Sequence, residues 1–155
     1  MGEINVRMIF DDSLITVTQQ IAGLTLRSKD KVQFGNSICY MGIIHTKGRF
    51  AAMIQFVWSE DMYNYIISRM TNGAPMSDED KTLYMNEYMN ITCGHALSAI
   101  NNKIGRPSSR LSIPAVYKEL EEGVVNTGKA DMSELLNYDT EHGKMQVEIN
   151  YAMGQ

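Results

Sequence analysis

The stretch from Ser77 to Ile104 constrains this chain most, because it has no internal proline and carries helix signals at both ends. Ser77 can cap the first free amides, and three acidic residues follow it in the first turn, where the helix dipole favours negative charge. Gly105 can adopt the left-handed conformation that ends a helix, and Pro107 prevents continuation. At 1.5 Å per residue the predicted helix is roughly 40 Å long, most of the width of a small domain.

This helix has two different faces when successive residues are placed about 100° apart. A stripe of mostly small apolar residues is predicted to pack on the core: Met85, Met89, Thr92, Cys93, Ala96, Ala99 and Ile100. The opposite face carries Glu87, Asn90, Gly94 and Asn101. Glu87 and Asn90 are three residues apart, so their side chains are neighbours on the helix surface.

Two interpretations of the second face remain open from the residues alone. A glutamate and an asparagine on a helix are most often part of a solvated surface, and a glycine within a helix more often serves packing than function. However, that glycine costs the helix about 1 kcal/mol relative to alanine. In return it leaves bare backbone that another molecule can approach closely, which would make Glu87, Asn90 and Gly94 a contact site.

Composition fits a single folded domain, residues 1–155, located in the cytoplasm. The chain has 155 residues, 44% hydrophobic and 21% charged, as in ordinary globular domains. A formal net charge of −4 argues against a nucleic-acid partner, which would require a basic face. Cys39 and Cys93 show no pairing pattern, which favours reduced thiols. No apolar run approaches the roughly 20 residues that span a bilayer, so membrane insertion is not expected.

The first half of the chain predicts a helix, a β-hairpin and a second helix. Residues Asp11–Ser13 are expected to start the first helix, which continues to about Leu26, and a charged turn follows at Arg27–Lys31. Two apolar runs joined by a short loop that contains Gly48 predict the hairpin. The second helix begins at Ser59 or Glu60.

After the long helix, the pattern predicts two strands separated by a polar segment. Arg110–Tyr117 is the first strand, in which Pro114 indicates an edge position or a bulge. Lys118–Tyr138 is predicted to be a surface excursion with a short strand at Val124-Val125. Lys144–Met153 alternates and is the last strand. The fold class is therefore α+β, with helices packed on an antiparallel or mixed sheet.

Residues for an independent small-molecule enzyme are not apparent. His45, His95 and His142 are scattered, and Cys93 and His95 project about 200° apart on the predicted helix, so they do not share a metal ion. The sequence contains no Ser-His-Asp order, phosphate-binding loop or dinucleotide-binding glycine pattern. We therefore predict no metal site.

The segment Glu87-Tyr88-Met89-Asn90-Ile91-Thr92-Cys93-Gly94-His95-Ala96 resembles the E-x-x-N-hydrophobic-x-x-G-N-A signature of the CheC/CheX family of chemotaxis phosphatases. Leu111-Ser112-Ile113-Pro114-Ala115-Val116 resembles the strand that follows this helix in the family, and the resemblance covers nearly the whole chain. His95 stands where the family usually has Asn. Leu83 stands where the CheC branch has Asp or Ser, and there is no second E-x-x-N, so the resemblance is to the single-site CheX type.

The resemblance implies a phosphatase that acts on a phosphorylated CheY-like response regulator. It implies that Asn90 orients the water that hydrolyses the aspartyl phosphate, that Glu87 pairs with a lysine of the partner, and that Gly94 leaves clearance for a partner loop. The protein would need no cofactor of its own, since Mg²⁺ is expected on the response regulator, and a homodimer is expected. The alternative is a non-catalytic module that binds response regulators or acts as a flagellar-switch-like scaffold.

Overall fold

The computed structural model describes residues 3–35, 38–106, 108–119 and 132–154. Within these ranges the helices are α1 (Val6–Ala22), α2 (Glu60–Thr71) and α3 (Asp78–Ile104). The strands are β1 (Arg27–Lys29), β2 (Cys39–Gly48), β3 (Phe50–Ser59), β4 (Ser109–Leu111), β5 (Ala115–Glu119), β6 (Met132–Thr140) and β7 (Gly143–Met153).

The strands form one sheet in the order β1-β6-β7-β3-β2-β4, and β5 also pairs with β2. Every pair is antiparallel. The three helices contact the same face of this sheet, as aromatic pairs show: Phe10 with Phe50, Tyr63 with Tyr40, and Tyr88 with Phe56. The predicted α+β class, with helices packed on an antiparallel sheet, is confirmed.

The long helix forms where the sequence predicts it. The hydroxyl of Ser77 accepts a hydrogen bond from the backbone amide of Asp80 at 3.1 Å, which caps the N-terminus. Gly105 has a φ of 94°, and its amide donates to the carbonyl of Asn101 at 2.8 Å, which closes the C-terminus.

The predicted start of the first helix is wrong. Helix α1 begins at Val6, because the side chain of Asn5 accepts a hydrogen bond from the amide of Met8 at 3.0 Å. Val6 and Phe10 extend the buried stripe by a further turn at its N-terminal end. The helix ends at Gly23, whose φ is 63°, so its C-terminus also lies before the predicted Leu26.

The prediction of a surface excursion through Tyr138 is also wrong, since its last part forms β6. Leu136 and Tyr138 are buried in the core. The polar residue between them, Asn137, is buried as well, and its amide is satisfied by the carbonyl of Asp30 at 3.1 Å and by the side chain of Gln146 at 2.8 Å. The predicted strand at Val124-Val125 lies outside the described residues.

Three smaller predictions have mixed outcomes. The charged turn at Arg27–Lys31 contains strand β1, which pairs with Asn137–Asp139 of β6. The single strand at Arg110–Tyr117 is instead two, β4 and β5, separated by Ser112–Pro114. The hairpin is confirmed as β2 and β3, with Gly48 at a φ of 118°.

Helix α3 lies close to strand β2 because Gly42 has no side chain. A Cβ at this position would lie 2.5 Å from the sulfur of Met89 and 2.8 Å from the ring of Trp58. Both of these side chains are fully buried. A side chain at position 42 would therefore force Met89, Trp58 or α3 itself to shift.

We expect Gly42→Ala to lower the free energy of unfolding by about 1 to 3 kcal/mol, because overpacking forces α3 or its side chains to shift. Urea denaturation measures this change. Gly94→Ala adds the same methyl group where its nearest contact is Leu111 at 3.7 Å, so it is the matched control. Equal unfolding midpoints for Gly42→Ala and the wild type would show that α3 is not held at this distance by Gly42.

Candidate functional site

The outer face of α3 presents a carboxylate and a carboxamide one turn apart. Glu87 is exposed and Asn90 is half-buried. Among the residues that the structure describes, neither side chain has a hydrogen-bond or ion-pair partner. The ion pairs within these ranges, Arg7–Glu134 and Arg27–Asp139, do not involve α3. A free acceptor and a free amide therefore lie side by side on a helix surface.

Apolar residues flank this pair along the same row of the helix. Leu83 lies four residues before Glu87 and Ile91 four residues after it, and their side chains are 64% and 40% exposed. The sequence pattern marked Leu83 only as a departure from the family signature and predicted no exposed apolar row. The spacing of four was a signal that could have identified this row.

The core face of α3 is close to the predicted one. Met85, Met89, Thr92 and Cys93 are buried, as are Ala96 and Ile100. Ala99 is only half-buried, whereas Tyr88 and Leu97, which were not predicted, are buried. Asn101 was predicted to share the outer face with Glu87, but it is half-buried and its amide donates to the carbonyl of Ser109 at 3.3 Å.

Hydrogen bonds to α1 hold one side of α3. The hydroxyls of Tyr88 and Thr18 are 2.6 Å apart in the core. Nearer the surface, Nδ1 of His95 lies 2.8 Å from the hydroxyl of Ser13, which is buried. His95 thus binds the neighbouring helix, which gives the residue that departs from the family signature a structural role.

Strands β2 and β4 hold the other side of α3. Met89 packs where Gly42 leaves room, and Leu111 of β4 approaches Gly94. Since a Cβ on Gly94 would make only an ordinary contact, packing within this chain does not require glycine there. The outer face of α3 is therefore carried by a helix fixed on both sides, a suitable support for a site that needs accurate placement.

The thiol on α3 is not available as a nucleophile. Burial raises the pKa of the Cys93 thiol to about 12, so it stays protonated at neutral pH. No three His, Cys, Asp or Glu side chains in the described part of the chain come together as a metal site. Nor does any described helix have the length and apolarity to cross a bilayer. The Glu87 carboxylate can accept hydrogen bonds, and the Asn90 carboxamide can both accept and donate them. The pair is therefore suited to organise reactants that another molecule supplies.

Comparison with known proteins identifies the family of the chain. The family model described as chemotaxis phosphatase CheX matches residues 40–134, which include α3 and the Glu87–Asn90 pair. The chain belongs to the CheX family of chemotaxis phosphatases. None of the curated proteins compared with it matches.

Solved structures show the same fold. A CheX chemotaxis protein from Desulfovibrio desulfuricans is 16% identical, with a TM-score of 0.82 over 96% of this chain and 100% of the other. CheX in a complex with CheY, BeF₃ and Mg²⁺ from Borrelia burgdorferi is 15% identical, with a TM-score of 0.74 over 96% of this chain and 99% of the other. FliY from Thermotoga maritima is 15% identical, with a TM-score of 0.65 over 94% of this chain and 87% of the other.

We expect His95→Ala to lower the free energy of unfolding by about 1 kcal/mol, because the buried Ser13 hydroxyl loses its partner. Thermal or urea unfolding measures this loss. Ser98→Ala, at an exposed position on the same helix, is the control and should not lower stability, since alanine has the higher helix propensity. If His95→Ala unfolds at the wild-type midpoint, the bond to Ser13 does not help to hold α3.

Proposed function

We propose that this protein dephosphorylates a CheY-like response regulator by placing α3 against the regulator's aspartyl phosphate. The single observation that carries the proposal is the free Glu87–Asn90 pair on a helix fixed from both sides. Membership in a family of chemotaxis phosphatases supports it. A structural relative in a complex with CheY, BeF₃ and Mg²⁺ supports the choice of partner.

The reaction requires only that a water molecule be held in line with the phosphoryl group. The water oxygen forms a bond to phosphorus, the bond between phosphorus and the aspartate oxygen breaks, and the products are inorganic phosphate and a free aspartate carboxylate. The Mg²⁺ and lysine expected on the regulator offset the charge on the transferring group. This chain then needs to supply orientation, not a nucleophile or a metal.

Asn90 is the proposed catalytic residue. A carboxamide both donates and accepts hydrogen bonds and does not titrate, so it can hold the water in one orientation at any physiological pH. Its position on α3 is fixed through Tyr88 and Met89, which anchor the same turn of the helix. Such anchoring matters because a displacement of about 1 Å can reduce a rate about 10²-fold.

Glu87 is the proposed docking residue. Its exposed carboxylate has no cation beside it in the described structure, so it is available to a lysine of the partner. One helical turn separates it from Asn90, and pairing with the lysine next to the phosphoryl group would bring the amide to the water. Gly94, one turn further on, offers close approach to a partner loop.

Asn90→Ala should reduce the acceleration of dephosphorylation at least about 10²-fold with little effect on binding, because it removes the group that orients the water. Phosphate release from CheY-like receiver domains charged with acetyl phosphate measures the rate. Asn102→Ala removes an exposed amide from the same helix and is the matched control. Wild-type acceleration by Asn90→Ala would contradict the mechanism.

Gly94→Ala should raise the stability of the protein and weaken its binding to the receiver domain. The substitution raises helix propensity by about 1 kcal/mol and meets no obstacle inside the chain, so the protein should unfold at a higher urea concentration. Binding of a beryllofluoride-charged receiver domain should weaken, because the new methyl group occupies the space for the partner loop. Unchanged affinity would remove Gly94 from the interface.

A non-catalytic module that binds receiver domains or forms part of a flagellar-switch-like scaffold is the second candidate. One observation favours it: Asn90 is half-buried and not fully exposed. This candidate predicts that the wild-type protein binds phosphorylated receiver domains without accelerating phosphate loss.

A further inference from the structure

A groove on the N-terminal half of α3 adjoins the Glu87–Asn90 pair. It has a volume of about 480 Å³ and is lined by Met76, Asp80, Leu83, Tyr84 and Glu87. Met76 and Tyr84 pack against the hydrophobic core and form its fixed side, whereas Leu83 is 64% exposed at its edge. Glu87 belongs both to this groove and to the proposed catalytic face, so the two surfaces are continuous.

The groove combines an apolar lining with negative charge. Asp80 and Glu87 contribute carboxylates, and the residues that line it include no cation. The nearest lysine in sequence, Lys81, donates from its ammonium group to the side chain of Asn64 at 3.0 Å, so it is held towards α2. A ligand that leaves these carboxylates unpaired would bury them at a cost, so the complementary surface is apolar and carries positive charge.

We infer that this groove, whose edge is formed by Leu83, selects the receiver domain that the protein acts on. Its occupant is an aliphatic or aromatic side chain of the receiver domain, adjacent to a basic residue that pairs with Asp80. This inference rests on the proposed function, because the same docking places the receiver's lysine on Glu87 and its phosphoryl group near Asn90. It assigns recognition to Leu83 and Asp80 and leaves the chemical step to Asn90.

The division of roles follows from position along the helix. Leu83 lies about two turns before Asn90, a rise of roughly 10 Å, so it does not reach the reacting phosphorus. Burial of its exposed side chain adds to affinity in the ground state and the transition state alike. Such uniform binding changes KM and leaves kcat unaltered.

The test measures kcat and KM for dephosphorylation of phosphorylated receiver domains. It also measures Kd for receiver domains that carry beryllofluoride in place of the phosphoryl group. Leu83→Ser should raise KM and Kd about tenfold at unchanged kcat. Met8→Ser is the matched control, because Met8 is equally exposed, at 64%, but lies on α1. Loss of binding with a wild-type unfolding midpoint would show that the effect comes from the groove and not from misfolding.

A second pair of matched variants tests the role of the Asp80 carboxylate. Asp80→Asn should raise Kd about threefold at low ionic strength, and the effect should shrink as salt screens the pair. Glu79→Gln removes one carboxylate from the same helical turn but outside the groove, and should leave Kd unchanged. Equal effects of the two substitutions would reduce the role of Asp80 to general negative charge and overturn its assignment.

The outcomes separate this inference from the proposed function. If Leu83→Ser keeps the wild-type KM and Kd while Asn90→Ala loses turnover, the groove does not select the receiver domain. The proposed phosphatase activity would then still stand. If Leu83→Ser changes the oligomeric state in light scattering instead of the affinity for receiver domains, the groove holds a second copy of this chain and the inference is wrong. If the wild-type protein binds no phosphorylated receiver domain, both the groove inference and the proposed function are contradicted.

Discussion

The contact between Met89 and the backbone at Gly42 determines where the rest of the site lies. Because Gly42 has no side chain, Met89 and Trp58 fill the space above β2 and α3 comes close to the sheet. The Tyr88–Thr18 hydrogen bond fixes the same turn against α1. With its inner face held in this way, the rotation of α3 is set, and Glu87 and Asn90 are directed outward by helical geometry.

This arrangement suits the proposed role, in which the chain positions reactants that the receiver domain supplies. The buried Cys93 is kept protonated, and the polar groups on the outer face of α3, Glu87 and Asn90, are hydrogen-bonding ones. Groups of that kind contribute by holding other reactants in position, which is effective only on a rigid support. In the proposal, affinity comes from the groove at Leu83 and from Glu87, and the rate comes from Asn90.

The sequence was most informative about α3, where the determining interactions are local. The caps of α3, the outward position of Glu87 and the buried stripe at Met85, Met89 and Cys93 follow from helical spacing, and the structure confirms them. The family resemblance carried by the motif is confirmed as well. The roles of Glu87, Asn90 and Gly94 stay predictions.

Apart from the local caps of α1 at Asn5 and Gly23, the interactions that were missed join residues further apart in the chain. The polarity of Lys118–Tyr138 predicted a surface segment. Asn137 within it is buried because Asp30 and Gln146 bind its side-chain amide, and these partners cannot be inferred from the neighbouring residues. Asn101 is drawn inward by Ser109 for a similar reason.

The most direct test of the central claim is to dephosphorylate a charged receiver domain in ¹⁸O-labelled water, with and without this protein. The account predicts faster release in the presence of the protein, with one ¹⁸O atom in each inorganic phosphate and none in the aspartate carboxylate, because water attacks phosphorus. Label in the aspartate, or binding of the charged receiver domain with no faster release, would contradict it.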